Sequence, residues 1–306
     1  MPRPMLLDVD TGVDDAIAIA LASRLQQHQL VALTTVAGNV TVDHATENTR
    51  RVAAYMQLDV PIYRGMRAPL VRPLEDASAH HGQDGLGGWQ VPSDPAPLAD
   101  ETAPEAIVRL VREHRDELTL VFVGPLTNLA VALNLDPRIA GWGPRLVIMG
   151  GAFWQPGNTT KDAEFNIFAD PEAAAQVAGS GLPATWVGLD ATYQARLDLE
   201  EWRSLAGATE PAARLIHAVM RRSFEDVGRP HIYLHDPLAV AVAEDAGTVT
   251  CDAGAVTVDI SHAARARTRI SERVGSETPA LAARHVNQER FTEVFRLLHD
   301  RTAPRA

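Results

Sequence analysis

Short apolar runs alternate along this chain with longer stretches whose apolar positions recur every three to four residues. The runs at 5–9, 30–37, 60–63, 118–123, 145–149 and 184–188 predict buried strands. The stretches at 14–27, 42–56, 103–114, 126–133 and 171–177 predict helices between them. This β–α alternation implies an α/β fold, a mostly parallel open sheet with helices on both faces. After the strand at 60–63 comes a long loop with several glycines and prolines, carrying His80 and His81. Further along the rhythm is less regular. The pattern there predicts a long helix over 211–225, another from 235–243, an added hairpin from 256–260 and 267–270, and a closing helix over 288–298. No linker, repeat or low-complexity tract divides residues 1–306, which implies a single domain.

Composition narrows the function. Hydrophobic residues make up 46% and charged residues 22%, the balance of an ordinary globular protein with ample core. A formal charge of −11 argues against a nucleic-acid partner, because phosphate backbones are met by clustered Lys and Arg. Cys251 stands alone, which excludes a disulfide framework and a cysteine-based zinc motif. Met1-Pro2-Arg3-Pro4 runs straight into the first strand and leaves no room for a signal peptide, and no apolar run is long enough to span a membrane. The expectation is a cytoplasmic enzyme with no membrane partner.

The first strand leads into Asp8-Val9-Asp10-Thr11-Gly12-Val13-Asp14-Asp15, four carboxylates in eight residues. They fall where a strand ends and a helix begins, the usual ligand crevice of an open α/β sheet. Aspartate is a good helix N-cap and acids favour the first helical turn, so one or two of the four need no ligand. All four are not explained that way, because Asp8 lies in the strand tail and shares a face with Asp10. Two carboxylates about 4–5 Å apart repel by roughly 3–4 kcal/mol at an effective dielectric of 20. A cation among them would offset this, and oxygen donors point to Mg²⁺ or Ca²⁺.

Other polar residues follow later strands: Gly38-Asn39, Gly124-Pro125-Leu126-Thr127-Asn128 and Met149-Gly150-Gly151. Each alone is an ordinary turn sequence, but their repetition at one edge of a parallel sheet is less easily put down to turns. Asn158 lies in a Gly-Asn-Thr loop. Ala163-Glu164-Phe165-Asn166 reads as extended, with Glu164 and Asn166 on one side and Phe165 toward the core. Such a pair suits vicinal hydroxyls, or is simply two polar residues on an edge strand. In His235-Asp236-Pro237-Leu238, Asp236 can cap a helix with Pro237 at its first position. It can equally complete an oxygen-ligand set, beside a histidine able to donate a proton near neutral pH.

Taken in order, these segments, together with His81-Gly82-Gln83-Asp84-Gly85-Leu86-Gly87, resemble the nucleoside hydrolases of the inosine-uridine-preferring type over residues 5–245. The resemblance implies that family's Rossmann-like fold and calcium-dependent hydrolysis of the N-glycosidic bond of ribonucleosides. It implies Ca²⁺ bound by the carboxylates of Asp10, Asp15 and Asp236 and by the main-chain carbonyl of Thr127. It also implies sugar contacts from Asn39, Met149, Asn158, Glu164 and Asn166. Asp14 would be the general base for water, and His235 would protonate the leaving base with help from His81. Phe224, His231 and Tyr233 are candidates for the base pocket or, more simply, for loop and core packing. The purine-specific branch typically carries tryptophan where this chain has His235, so the expected range is inosine-uridine-like or pyrimidine-leaning. A homodimer or homotetramer is implied by the same resemblance. Two departures stand out: Thr11 replaces a common proline, and Arg265-Ala266-Arg267-Thr268 replaces a threonine-arginine-glycine pattern, which bears on the local hairpin rather than the chemistry.

Two other functions fit parts of the chain. Asp8-Val9-Asp10-Thr11 after an apolar strand also matches the opening of a haloacid-dehalogenase-like, Mg²⁺-dependent phosphatase. That chemistry needs a cation for the phosphoryl aspartate, the chain's one lysine, Lys161, sits beside Ala163 instead, and Asp14 and Asp15 have no part in it. A non-catalytic nucleoside- or ribose-binding protein would keep the sugar ligands but could dispense with Asp14 and His235, both of which are present.

Overall fold

A computed structural model of the chain describes residues 2–77, 82, 84–271 and 280–298. The apolar runs become strands β1 (Arg3–Val9), β2 (His28–Thr35), β3 (Ile62–Arg64), β4 (Thr119–Phe122), β5 (Arg145–Met149) and β6 (Ala184–Val187). Later come β7 (Arg196–Asp198), β8 (His231–Tyr233), β9 (Val249–Val258), β10 (Thr268–Ser271) and β11 (Ala280–Val286). Among the described residues, nine of these form one sheet in the order β10-β9-β11-β6-β5-β4-β1-β2-β3, while β7 and β8 pair separately. In the large sheet β9 alone runs against the direction of the other eight strands.

Strand order locates the site. From β1 the chain winds outward through β2 and β3, then returns to β4 on the other flank of β1 and winds away through β5 and β6. The direction reverses between β1 and β4, and the crevice beyond their carboxyl ends is where doubly wound sheets bind ligands. Both faces of the sheet are covered, because side chains alternate along each buried strand. Met5, Leu7 and Val9 of β1 enter one core with the helices Val13–Ala22, Pro211–Arg221 and His235–Glu244. Leu6 enters the other with Ala103–His114, Thr127–Leu135 and Pro171–Ala178.

Three elements depart from the sequence pattern. The first helix ends at Ala22 rather than at 27, because the Gln26 and Gln27 N–H groups donate to the Glu244 carboxylate at 2.8 Å each and turn the chain away. The long helix stops at Arg221 and continues as a π-helical turn over Arg222–Asp226. The hairpin forms despite its altered sequence: β10 pairs with β9, and Asp259 and Arg267 bond across the turn at 3.0 Å. Beyond it, β11 was not foreseen; it joins β9 to β6 and so welds the C-terminal third onto the parallel sheet. Among the described residues, no helix is long and apolar enough to cross a membrane.

Candidate active site

Asp10 sits just past the end of β1, wholly buried at the switch point. The adjoining turns must be glycine: a Cβ on Gly38 would collide with an Asp10 carboxylate oxygen, and one on Gly124 would press on the same carboxylate from the β4 side. Asn39 then holds Asp10 with two donors, its backbone N at 2.6 Å and its Nδ2 at 3.1 Å. The same Nδ2 reaches Asp15 at 3.0 Å.

Asp15 also does what a plain helix-capping acid does. Its oxygens accept from the Gly12 N–H at 2.8 Å and the Asp10 N–H at 3.1 Å, tying the strand end to the first helical turn. Capping and ligand roles are compatible in one carboxylate, since each oxygen has two lone pairs. Asp8, by contrast, stands outside the cluster. One of its oxygens accepts from Thr34 at 2.6 Å and from Asn128 at 2.7 Å, a buried strut between β1, β2 and the helix after β4.

From a distant segment, the start of the His235–Glu244 helix delivers Asp236. Carboxylate oxygens of Asp14, Asp15 and Asp236 lie within 4.8 Å of one another, and all three residues are buried. Burial, then repulsion from Asp15, raises the Asp10 carboxyl well above its ordinary range. Burial, then repulsion from Asp14, Asp15 and Asp10, does the same to Asp236, and burial lifts Asp14 to about 6. Groups whose charged form is disfavoured by burial and by one another are those a bound divalent cation would stabilise.

Asp14 and Asp236 open onto a cavity of about 540 Å³. Asn39, Met149, Asn158, Glu164, Asn166 and His235 line it too, so eight of the residues singled out in the sequence converge on one space. Asp10, Asp15 and Thr127 are buried and do not line it. The Thr127 hydroxyl donates to Asp170 at 2.7 Å, at the first turn of the helix following β4. His81 lies outside the described residues.

The segment 163–166 is not extended. A helix begins at Phe165, with Glu164 as its cap: Glu164 accepts from Asn166 N at 2.8 Å and Ile167 N at 3.1 Å. Those bonds satisfy two of the N–H groups that a helix start leaves without a partner of its own. Phe165 therefore faces the cavity rather than the core, while Asn166 Nδ2 bridges the Val123 and Met149 carbonyls at the ends of β4 and β5. Burial pushes Glu164 up to about 7.

His235 is oriented through Nδ1, which lies 2.8 Å from the Thr192 hydroxyl. Tyr193 and Tyr233 flank it, their rings 6.0 and 5.9 Å from the imidazole and 4.7 Å from each other. Tyr233 thus lines the cavity. Phe224 instead packs in the core against Trp202, and His231 stands edge-on to Tyr233 outside the lining. Sequence reasoning missed Tyr193, Ser223 and Arg229, which also line the cavity. Tyr193 had a usable signal, since it follows the end of β6 as the other site residues follow their strands.

The model of the inosine-uridine preferring nucleoside hydrolases matches residues 5–293. The chain belongs to this family. It is similar to the non-specific ribonucleoside hydrolase RihC of Klebsiella pneumoniae, 37% identical over 95% of this chain and 96% of that one. It is also similar to the inosine-uridine preferring nucleoside hydrolase of Leishmania major, 37% identical over 86% of this chain and 85% of the other. Among solved structures, a plant nucleoside hydrolase superposes with a TM-score of 0.91 at 31% identity, covering 99% of this chain and 100% of that one. This nucleoside hydrolase is accordingly an enzyme that hydrolyses ribonucleosides, with an acidic cluster at the switch point of its sheet. Neither the phosphatase nor the non-catalytic alternative survives that membership.

Proposed function

We propose that this nucleoside hydrolase is calcium-dependent and of broad, inosine-uridine or pyrimidine-leaning range. One observation carries the reading: a single cavity joins the Asp14 and Asp236 carboxylates, the sugar-side residues and His235. The ligand set proposed is Asp10, Asp15, Asp236 and the Thr127 carbonyl, and its oxygen-only chemistry fits a hard cation. Calcium held there would acidify water and hold a vicinal diol.

The remaining chemistry belongs to the chain. Cleaving the C1′–N bond passes through an oxocarbenium-like transition state, which the buried carboxylates beside the sugar stabilise. Asp14, which shares with Asp236 a place both in the cluster and at the cavity wall but is not one of the proposed ligands, takes the proton from the attacking water. Asn39, Met149, Asn158, Glu164 and Asn166 hold the ribose. His235 delivers a proton to the departing base, its ring set by Thr192 and by the two tyrosines. A histidine in this place, where the purine-specific branch carries tryptophan, supports a range wider than purines. A cytoplasmic homodimer or homotetramer is part of the same proposal.

Release of ribose from uridine, cytidine, inosine and adenosine, compared as kcat/KM, tests the range. Uridine and inosine should both be cleaved; a strong preference for adenosine with uridine untouched overturns the assignment. His235→Ala separates base from sugar. It should slow inosine by about 10²–10⁴-fold, the usual worth of general acid help, while sparing a nitrophenyl riboside whose leaving group is stable as an anion. Equal loss on both substrates would move His235 to the sugar or metal side.

A further inference from the structure

The loop leaving β5 is held in an unusual way: every backbone N–H from Gly151 to Gln155 is received by a buried side chain. Gly151 N donates to Glu164 at 3.1 Å and Ala152 N to the Thr268 hydroxyl at 2.8 Å. Phe153 N donates to one Asp190 oxygen at 2.9 Å, and Trp154 N and Gln155 N share the other at 2.8 Å each. Thr268 donates in return to the Ala152 carbonyl at 2.9 Å, so both polar groups of Ala152 are met by one hydroxyl. Thr268 is 2% exposed and Asp190 6%.

Further along, Gly157 N donates to the Lys161 carbonyl at 3.2 Å and Thr159 N to that of Ala163 at 3.1 Å, closing the loop on the residue before Glu164. Gly151, at φ +93°, makes the turn that begins it. The result is one hydrogen-bonded unit. Its inner edge presents Asn158, Thr159 and Glu164 to the cavity, and its outer edge is anchored by residues that do not line the cavity at all.

We propose that Thr268 and Asp190 are positioning residues for the sugar side of the active site. Thr268 fixes Ala152 next to the Gly151–Glu164 bond, and Asp190 fixes the three following residues and hence the approach to Asn158. This also gives the added strand β10 a task, since it is what carries Thr268 to the loop. The inference rests on the reading of Asn158 and Glu164 as sugar contacts.

The test compares Thr268→Val, Thr268→Ser, Asp190→Asn and Glu164→Ala for kcat and KM on uridine and a nitrophenyl riboside, with calcium affinity by calorimetry and folding by circular dichroism. Valine keeps the shape and removes the hydroxyl, so kcat/KM should fall about 10- to 100-fold, chiefly through KM and equally on both substrates, as for a displaced binding group. Calcium affinity should hold, and Thr268→Ser should restore most of the loss. Asp190→Asn turns an N–H donor toward one of the backbone donors it must receive, and should give a loss of the same kind. It carries the test alone if Thr268→Val does not fold. An unchanged KM in Thr268→Val and Asp190→Asn, a parallel fall in calcium affinity, or a loss confined to one substrate overturns the proposal. Glu164→Ala separates the two layers. If it raises KM and the positioning variants do not, only the positioning role is lost; if none does, the sugar reading has failed with it.

Discussion

Asp236→Ala should abolish both metal binding and hydrolysis while leaving the metal-free protein at least as stable as the unsubstituted one. The two effects have opposite signs for one reason. Asp236 is buried within 4.8 Å of Asp14 and Asp15, and its charge is disfavoured by both and by Asp10. Without an ion, removing it relieves repulsion; with an ion, it removes a ligand. An ion that binds only the folded state stabilises it by about 2.7 kcal/mol at a concentration of about 100 Kd. Thermal melting with calcium and after exhaustive chelation reads both effects. The pH dependence follows from the same carboxylates. Asp10, Asp14 and Asp236 have folded pKa values raised above 3.8, so the metal-free fold binds more protons than the unfolded chain above that value. Their contribution to stability is therefore most favourable at low pH and is lost as pH rises through the raised values. Protons and the ion compete for the same oxygens, so calcium affinity should fall as pH is lowered. Full activity in a demonstrably metal-free preparation would sink the assignment.

Asp14→Asn should lower kcat by about 10²–10⁴-fold on every nucleoside and on a nitrophenyl riboside alike. Water must lose its proton whatever group departs, so the defect cannot depend on the leaving group. This is the pattern opposite to that expected of His235→Ala, and the pair of variants assigns base and acid independently. Asparagine keeps the shape and one acceptor oxygen, which isolates the loss of the basic carboxylate. The measurement also discriminates between carboxylates. If KM rises at unchanged kcat, Asp14 holds the sugar and the proton acceptor is another acid of the cluster, Asp236 being the other one at the cavity wall.

Local signals carried much of this protein. Apolar runs and their periods were enough for β1, β2, β4, β5 and β6 and for the helices between them, because a parallel sheet buried on both faces demands continuous apolar strands. The acidic run and the Gly-Asn turns were legible for a similar reason: a strand's carboxyl end is a fixed place in the fold, whatever the rest does. Asp8 and Asp10 were indistinguishable at that level, since only Thr34 and Asn128, from two other segments, take Asp8 out of the cluster. Glu164 was misjudged as part of a strand because a carboxylate capturing the N–H groups of Asn166 and Ile167 leaves no mark in the apolar pattern. The end of the first helix depended likewise on Glu244, more than two hundred residues away.

By itself, then, the chain's order of residues determined the doubly wound architecture, the family and the polar side chains from five separate segments that meet at the cavity. Those depend on patterns repeated every few residues and on motifs at strand ends. The tertiary structure alone decided that Asp236 meets Asp14 and Asp15, which acids open to the cavity, and that β11 binds the C-terminal hairpin to the sheet so that Thr268 reaches Ala152. Each of these depends on contacts between residues far apart in the chain, and such partners have no period to betray them.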